Sequence, residues 1–422
     1  MSSILIKNAL IVSMVDQVFT GDVYIEDGRI ITVGVHIEMK ADKEIDASGK
    51  ILMPGFVNCH SMAGMGLFRG YSDELNSIEW YDKAVAPIEE KMTEEDVYNA
   101  SMLSFSEMIK SGTTCVNDMY ILESETCRAA EEIGIRGYFA ERVIGMENSP
   151  KKFYKAEELY NTWNNKANDR IKVGIALHSA YTCSKEVLED GKNLALRLDV
   201  PLHMQYMECK DELDIIKKRY GKSETDFLND IGIFETKAVL AHGVWTNELD
   251  ISKLRNNHPS IVNVPISDCK LGSGISDLYF LKSDINIALG TGGLGSTNTL
   301  DMFEQMKVCA YLQKTLYKQA QIISAKEICE MATINGAIAL GLDGEIGTIE
   351  KGKKADLMLI DCNKISNNPI HDIYSTIVYS CTGNDVDTVI IDGNIVMEDR
   401  ELVNANEKEV LKRAINSAKK VF

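Results

Sequence analysis

A chain of 422 residues exceeds the length over which one hydrophobic core keeps growing, so a large domain with a smaller companion, or one barrel with additions, is expected. Its formal charge of −18 and the lack of any basic run argue against binding to nucleic acid or an anionic membrane, both of which reward clustered Lys and Arg. No apolar run reaches the length of a membrane span, Ile4-Leu5-Ile6 is interrupted by Lys7 too soon for a secretory segment, and ten cysteines lie scattered without a CxxC pair, which reads as reduced thiols in a cytoplasmic protein.

Residues 1 to about 55 alternate short β-branched runs with turns: Ile4 to Val12, Val23 to Glu26, Asp27-Gly28, then Arg29 to Val33. An Asp-Gly pair between two such runs is a hairpin signal. The same grammar returns near the other end, where Ala355 to Ile360 precedes Val389-Ile390-Ile391, Asp392-Gly393 and Ile395-Val396-Met397. The two ends are therefore expected to share one small β domain, residues 1–55 with 347–422. The stretch from Asn406 to Val421 has helical spacing and is expected to pack on its outside.

Between the ends the pattern changes to strands separated by long amphipathic helices, which implies a parallel sheet. One helix starts at Thr93, with Asp96 as capping partner; it carries Val97, Ala100, Leu103 and Met108 on one face before Gly112 stops it. Strand candidates are Ile51 to Val57, Thr114 to Asn117, Gly137 to Glu141, Lys172 to Leu177, Val200 to Gln205, Ala238 to Ala241, Ser260 to Val264 and Ile285 to Leu289. Eight strands are what a (β/α)₈ TIM barrel needs, and residues 56–346 are assigned to it. At the C-terminal ends of these strands stand His60, Asp118, Glu141, His178, Gln205 with Glu208, His242, Asp268 and Thr291-Gly292-Gly293. Any one of these could simply be a polar residue ending a strand. Repeated along the chain at the face where such barrels assemble active sites, they read as a site.

The motifs resemble the amidohydrolase superfamily, in the branch of S-adenosylhomocysteine/methylthioadenosine deaminases and chlorohydrolases. The resemblance rests on Pro54-Gly55-Phe56-Val57-Asn58, Leu67-Phe68-Arg69-Gly70, Glu79-Trp80 with Pro87-Ile88-Glu89, and His178 to Ser184. Its most specific part is Ala332-Thr333-Ile334-Asn335-Gly336-Ala337 followed by Gly347 to Leu357. It implies a TIM barrel with a small β-sandwich built from the N- and C-terminal segments. It also implies hydrolytic chemistry on the C–N bonds of nitrogen heterocycles, and one Zn²⁺ or similar ion held by three to four imidazoles and an Asp that also takes a proton from metal-bound water.

Carried over by position, the family's first-strand pair of ligands falls on His60 and Met62, the fifth-strand ligand on Gln205, the sixth on His242 and the eighth-strand Asp on Gly292. A thioether is a soft neutral donor, an amide carbonyl a weak one, and glycine offers no side chain. Catalytic zinc normally keeps three protein ligands, so His60 and His242 alone are expected to hold a divalent metal weakly or not at all. Cys59, Cys183, Cys209 and Asp268 lie near the same face, but Cys59 should point away from His60's side of its strand and Asp268 lies beyond its own strand.

The resemblance places Glu208 where the family hydrogen-bonds the substrate ring nitrogen and shuttles protons, His178 where it contacts substrate, and Arg69 and Trp80 on the loops that cover it. The expectation is a weakly active or inactive protein that binds a purine-like small molecule, with Glu208 as acid/base or ligand anchor. The alternatives are an active hydrolase with a remodelled metal centre and a noncatalytic subunit of an oligomer. A homo-oligomer, dimer or higher, is expected by the same resemblance.

Overall fold

The computed structural model describes residues 3–147 and 152–422. A parallel sheet runs in chain order through β1 (Phe56–Ser61), β2 (Thr113–Tyr120), β3 (Arg136–Val143), β4 (Ile175–Leu177), β5 (Leu202–Tyr206), β6 (Ala238–His242), β7 (Ser260–Asn263) and β8 (Asn286–Leu289). The His60 carbonyl accepts the backbone N–H groups of Thr291 at 3.0 Å and Gly292 at 2.9 Å, so the segment after β8 closes back on β1. Helices cover the outside, as parallel strands joined by crossovers require. Among the described residues no helix is long and apolar enough to cross a membrane.

Alternation along the strands decides what faces the barrel axis. On β5, Met204 and Tyr206 enter the apolar layer shared with the surrounding helices, together with Val187, Phe227 and Phe234. Their neighbours His203 and Gln205 must then face the opposite way. The helix expected from Thr93 spans Glu94–Lys110, with Thr93 as N-cap and a reciprocal capping box to Asp96.

Nine strands from both ends of the chain make one mixed sheet. Lys50–Pro54 joins the two halves, running antiparallel to Leu357–Asp361 and parallel to Ser3–Ile11. The two Asp-Gly turns meet across the sheet: a Cβ on Gly393 would stand 2.5 Å from the Gly28 Cα, and only glycines allow that approach. The buried Arg136 at the start of β3 ties the barrel to this sheet. Its Nε donates to Asp356 Oδ2 at 2.6 Å and its Nη2 to Asp356 Oδ1 at 3.1 Å and Asp392 Oδ1 at 3.3 Å.

Three expectations need correction. The run Ile51 to Val57 is two strands in two different sheets, divided at Gly55. The run Lys172 to Leu177 is likewise broken at Gly174 into Ile171–Val173 and β4. Continuous apolar runs carry no mark of which sheet they enter. The terminal helix, Glu407–Val421, packs on the barrel helix Glu94–Lys110 rather than on the small sheet: Asn99 Nδ2 donates to Ser417 Oγ at 3.1 Å. Its last residue, Phe422, lies 4.5 Å from Tyr71, ring centre to ring centre.

Candidate active site at the barrel mouth

A cavity of about 30 Å³ lies at the C-terminal end of the barrel, walled by His60, Met62, His178, Gln205, Glu208, His242 and Gly292 together with Trp80, Tyr81 and Arg142. Each strand end presents its residue by a local device. His242 pairs in register with Tyr206 and follows the alternation of Leu240, both of which face the helices. Its backbone is left-handed, with φ of 77°, which swings the imidazole into the cavity instead. Such a backbone in a non-glycine residue costs on the order of 1–3 kcal/mol and concentrates at functional sites.

The imidazoles form a connected set. His60 Nδ1 shares a hydrogen bond with His203 Nε2 at 2.9 Å, and the His60 and His242 rings meet edge-on at 5.3 Å. His242 Nδ1 lies 2.7 Å from Asp268 Oδ1, both groups buried. A carboxylate only accepts, so the proton sits on Nδ1 and His242 Nε2, which has no partner among the described residues, is left to the cavity. Burial, reinforced by neighbouring His203 and His242, holds His60 well below the ordinary imidazole range; burial pushes His203 down to about 3. Burial also opposes the charged form of His242, but Glu208 and Asp268 outweigh it and raise its pKa.

Glu208 follows β5 and Met207, whose φ of 48° is again left-handed. Its backbone N–H donates to Glu212 Oε2 at 3.0 Å, and its carboxylate Oε1 accepts from Ser77 Oγ at 2.8 Å and Ser273 Oγ at 3.4 Å. His178 Nδ1 is 2.9 Å from Thr182 Oγ1, and Tyr81 lies over its ring at 4.9 Å. Arg142 pairs with Glu89 in the same wall, both buried.

Other strand-end residues hold the scaffold. Asp118 accepts from Ser61 Oγ and from the Ala63 N–H at 2.8 Å, fixing the turn that carries Met62, and burial pushes its carboxyl up to about 6. Glu141 accepts from the Glu123 N–H at 2.9 Å. Cys59 turns away from the cavity, with Sγ 3.5 Å from the Gly336 carbonyl. Arg69 does not join the cavity either: its side chain, 44% exposed, pairs with Glu107 and donates to the Asn298 carbonyl at 3.2 Å, bracing the loop instead.

Arg142, His203, Ser77 and Tyr81 belong to the site without standing among the residues expected from the sequence, and Asp268, expected to lie beyond its own strand, sits behind His242. Arg142 stands next to Glu141 on β3, and His203 is two residues before Gln205 on the same face of β5, so alternation carried a signal for both. Asp268 reaches His242 from the helix Pro265–Lys270, which follows β7. Among the described residues no group of three or more His, Cys, Asp or Glu is placed to hold a metal ion.

Residues 51–396 match the profile of the amidohydrolase family. The chain belongs to the amidohydrolase family. It is 40% identical to a 5-methylthioadenosine/S-adenosylhomocysteine deaminase of Thermoanaerobacter pseudethanolicus, over 100% of this chain and 99% of that protein. It is 39% identical to a 5′-deoxyadenosine deaminase of Methanosarcina mazei, with the same coverage. Among solved structures, an adenosine deaminase from Xanthomonas campestris with bound zinc superposes with a TM-score of 0.95 at 27% identity, over 99% of this chain and 98% of that one. This amidohydrolase therefore carries the family's architecture from end to end, with Met62, Gln205 and Gly292 at the mouth of its barrel.

Proposed function

We propose that this amidohydrolase binds an adenosine-type nucleoside at the barrel mouth and hydrolyses it by the family's metal-assisted route slowly or not at all. Glu208 and His178 serve as polar anchors for the base, and Trp80 and Tyr81 cover it. The ligand class follows the relatives' substrates, and the apolar wall with a few convergent polar groups suits a heterocycle.

The observation that carries the reading is the donor set. At the positions carried over from the family's ligand set the cavity presents two imidazoles, His60 and His242, beside a thioether, an amide and a glycine, while the third imidazole of its wall, His178, is turned to Thr182 Oγ1 and lies under Tyr81. A catalytic zinc normally needs three protein ligands, and the residues present do not fit one. In addition, Gly292 has φ of 72°, and a Cβ there would stand 2.9 Å from Ser296 Oγ, so the backbone itself is shaped for glycine. Equilibrium dialysis of the purified chain against zinc and against 5′-deoxyadenosine tests both halves. Nucleoside binding with substoichiometric zinc is expected; one tightly held zinc per chain sinks the reading.

A second reading, an active hydrolase with a remodelled centre, is favoured by one feature: Asp268 orients His242 with a free Nε2 facing the cavity next to Glu208. Such a pair suits a general base acting on water directly. Inosine-type product from 5′-deoxyadenosine that survives chelator and disappears in His242→Ala supports it. We further propose that residues 1–55 with 347–422 act as one unit beside a barrel of residues 56–346, and that the chain is a homo-oligomer, which sedimentation measures.

A further inference from the structure

We propose that Ser77 is a latch: its hydroxyl occupies the Glu208 carboxylate and holds the lid segment Asn76–Val85 shut, so that a ligand enters only by displacing Ser77 from Glu208. The inference rests on the proposed role of Glu208 as the ligand's anchor.

The cavity behind Trp80 and Tyr81 has a volume of about 30 Å³, room for water but not for a nucleoside. Directly outside lies a second cavity of about 190 Å³, walled by Asn76, Ile78, Cys209, Trp245 and Ser273. Ser77 and Leu271 line both, so the partition between the two spaces is the contact of the lid with the Leu271–Ser273 turn. Asn76 abuts that turn, its Oδ1 standing 3.5 Å from where a Cβ on Gly272 would lie. The far side of the partition is anchored, because Trp245 Nε1 donates to the Ser273 carbonyl at 3.0 Å.

The bond that closes the partition is Ser77 Oγ to Glu208 Oε1 at 2.8 Å, with both residues buried. Oε1 accepts from both Ser77 and Ser273, which takes up its two lone pairs, so the N–H of a heterocycle aimed at that oxygen competes with the hydroxyls for it. The lid side is also the more readily moved. The helix Ser77–Trp80 is one turn long, its N-cap Asn76 makes no side-chain cap, and it runs into a π-turn over Tyr81–Val85. The Trp80 indole N–H is buried without a partner among the described residues, a cost that lifting the lid relieves. Opening merges the inner and outer spaces into one pocket with Glu208 at its floor.

A latch lowers apparent affinity by the fraction of molecules that are open, so breaking it raises affinity. In Ser77→Ala, hydrogen exchange at the amides of residues 76–85 is expected to quicken in the ligand-free chain, and 5′-deoxyadenosine to bind about tenfold tighter by calorimetry. Ser77→Thr keeps the hydroxyl and is expected to exchange like the parent. Unchanged exchange in Ser77→Ala overturns the proposal, as does faster exchange with unchanged or weaker binding. If neither protein binds 5′-deoxyadenosine, the proposed ligand class has failed and the exchange comparison alone decides the latch.

Discussion

Asp268 stands 2.7 Å behind His242, and that contact lets an imidazole on a left-handed backbone face the cavity with one nitrogen free. Both groups are buried, and the ring has no other partner for Nδ1 among the described residues. Asp268→Ala is expected to destabilise the fold by about 1.5–3 kcal/mol, the range for a hydrogen bond to a charged group, whereas Asp268→Asn keeps an acceptor and loses less. Urea denaturation of the two variants gives the comparison. Equal losses would show that the charge, and not the hydrogen bond, matters.

Rebuilding the family's ligand set tests the donor argument from the other side. Met62→His with Gln205→His and Gly292→Asp should restore zinc binding if the surrounding shell is preserved. The third change is the difficult one, because φ of 72° disfavours any side chain and Ser296 Oγ lies 2.9 Å from the new Cβ. Gly292→Asp alone is expected to cost roughly 1–3 kcal/mol of stability, read as a lowered Tm. Adding Ser296→Ala should recover part of that loss.

Glu208→Gln keeps the shape of the anchor and removes its charge. Loss of a charge-assisted bond of about 1.5–3 kcal/mol predicts roughly ten- to hundredfold weaker binding of 5′-deoxyadenosine. Calorimetry at one pH suffices. Unchanged affinity would remove Glu208 from the ligand's contacts.

Stability is expected to peak at mildly acidic pH. His203, held down to about 3 by burial, stays neutral when folded but takes a proton when unfolded below its ordinary value of 6.5. Between those values the unfolded chain binds more protons, so stability falls as pH drops. Glu224, buried beside Glu212, has its carboxyl raised above the ordinary 4.5 by burial and does the reverse: the folded chain holds the extra proton, and stability is lost as pH rises above the ordinary carboxyl range. Tm measured from pH 3 to 9 should fall on the acid side below pH 4.5 and on the alkaline side above 6.5, with the two effects opposing each other between, and Glu224→Gln should flatten the alkaline slope.

The tie between barrel and sheet can be cut at Asp356. Removing this carboxylate leaves Arg136, itself buried, with only the longer Asp392 contact at 3.3 Å. Asp356→Ala is expected to cost about 3–5 kcal/mol, the range for breaking a buried ion pair on one side. Denaturant unfolding reads it.

Much of this arrangement was legible in the sequence because strand ends are ordered along the chain. His60, His178, Gln205, Glu208, His242 and Gly292 each lie at or just beyond the end of a short, mostly apolar run, and the structure brings all of them to one cavity. What was not legible comes from segments whose position depends on tertiary packing. Ser77 arrives on a one-turn helix far from any strand, and Asp268 on the helix after β7. Arg69 was misplaced for the complementary reason: a loop motif fixes where its backbone runs, while its guanidinium follows the nearest carboxylate, Glu107.

The break at Gly55 joins two machines by a single residue. Lys50–Pro54 is locked in the terminal sheet and Phe56–Ser61 in the barrel, with nothing between them to absorb slack. A strand that slips by one residue turns every side chain to its other face. The strand that carries His60, five residues beyond Gly55, thus begins where the terminal sheet ends. Trimming or grafting at either end of the chain therefore unseats a strand that stops one residue short of the one carrying His60.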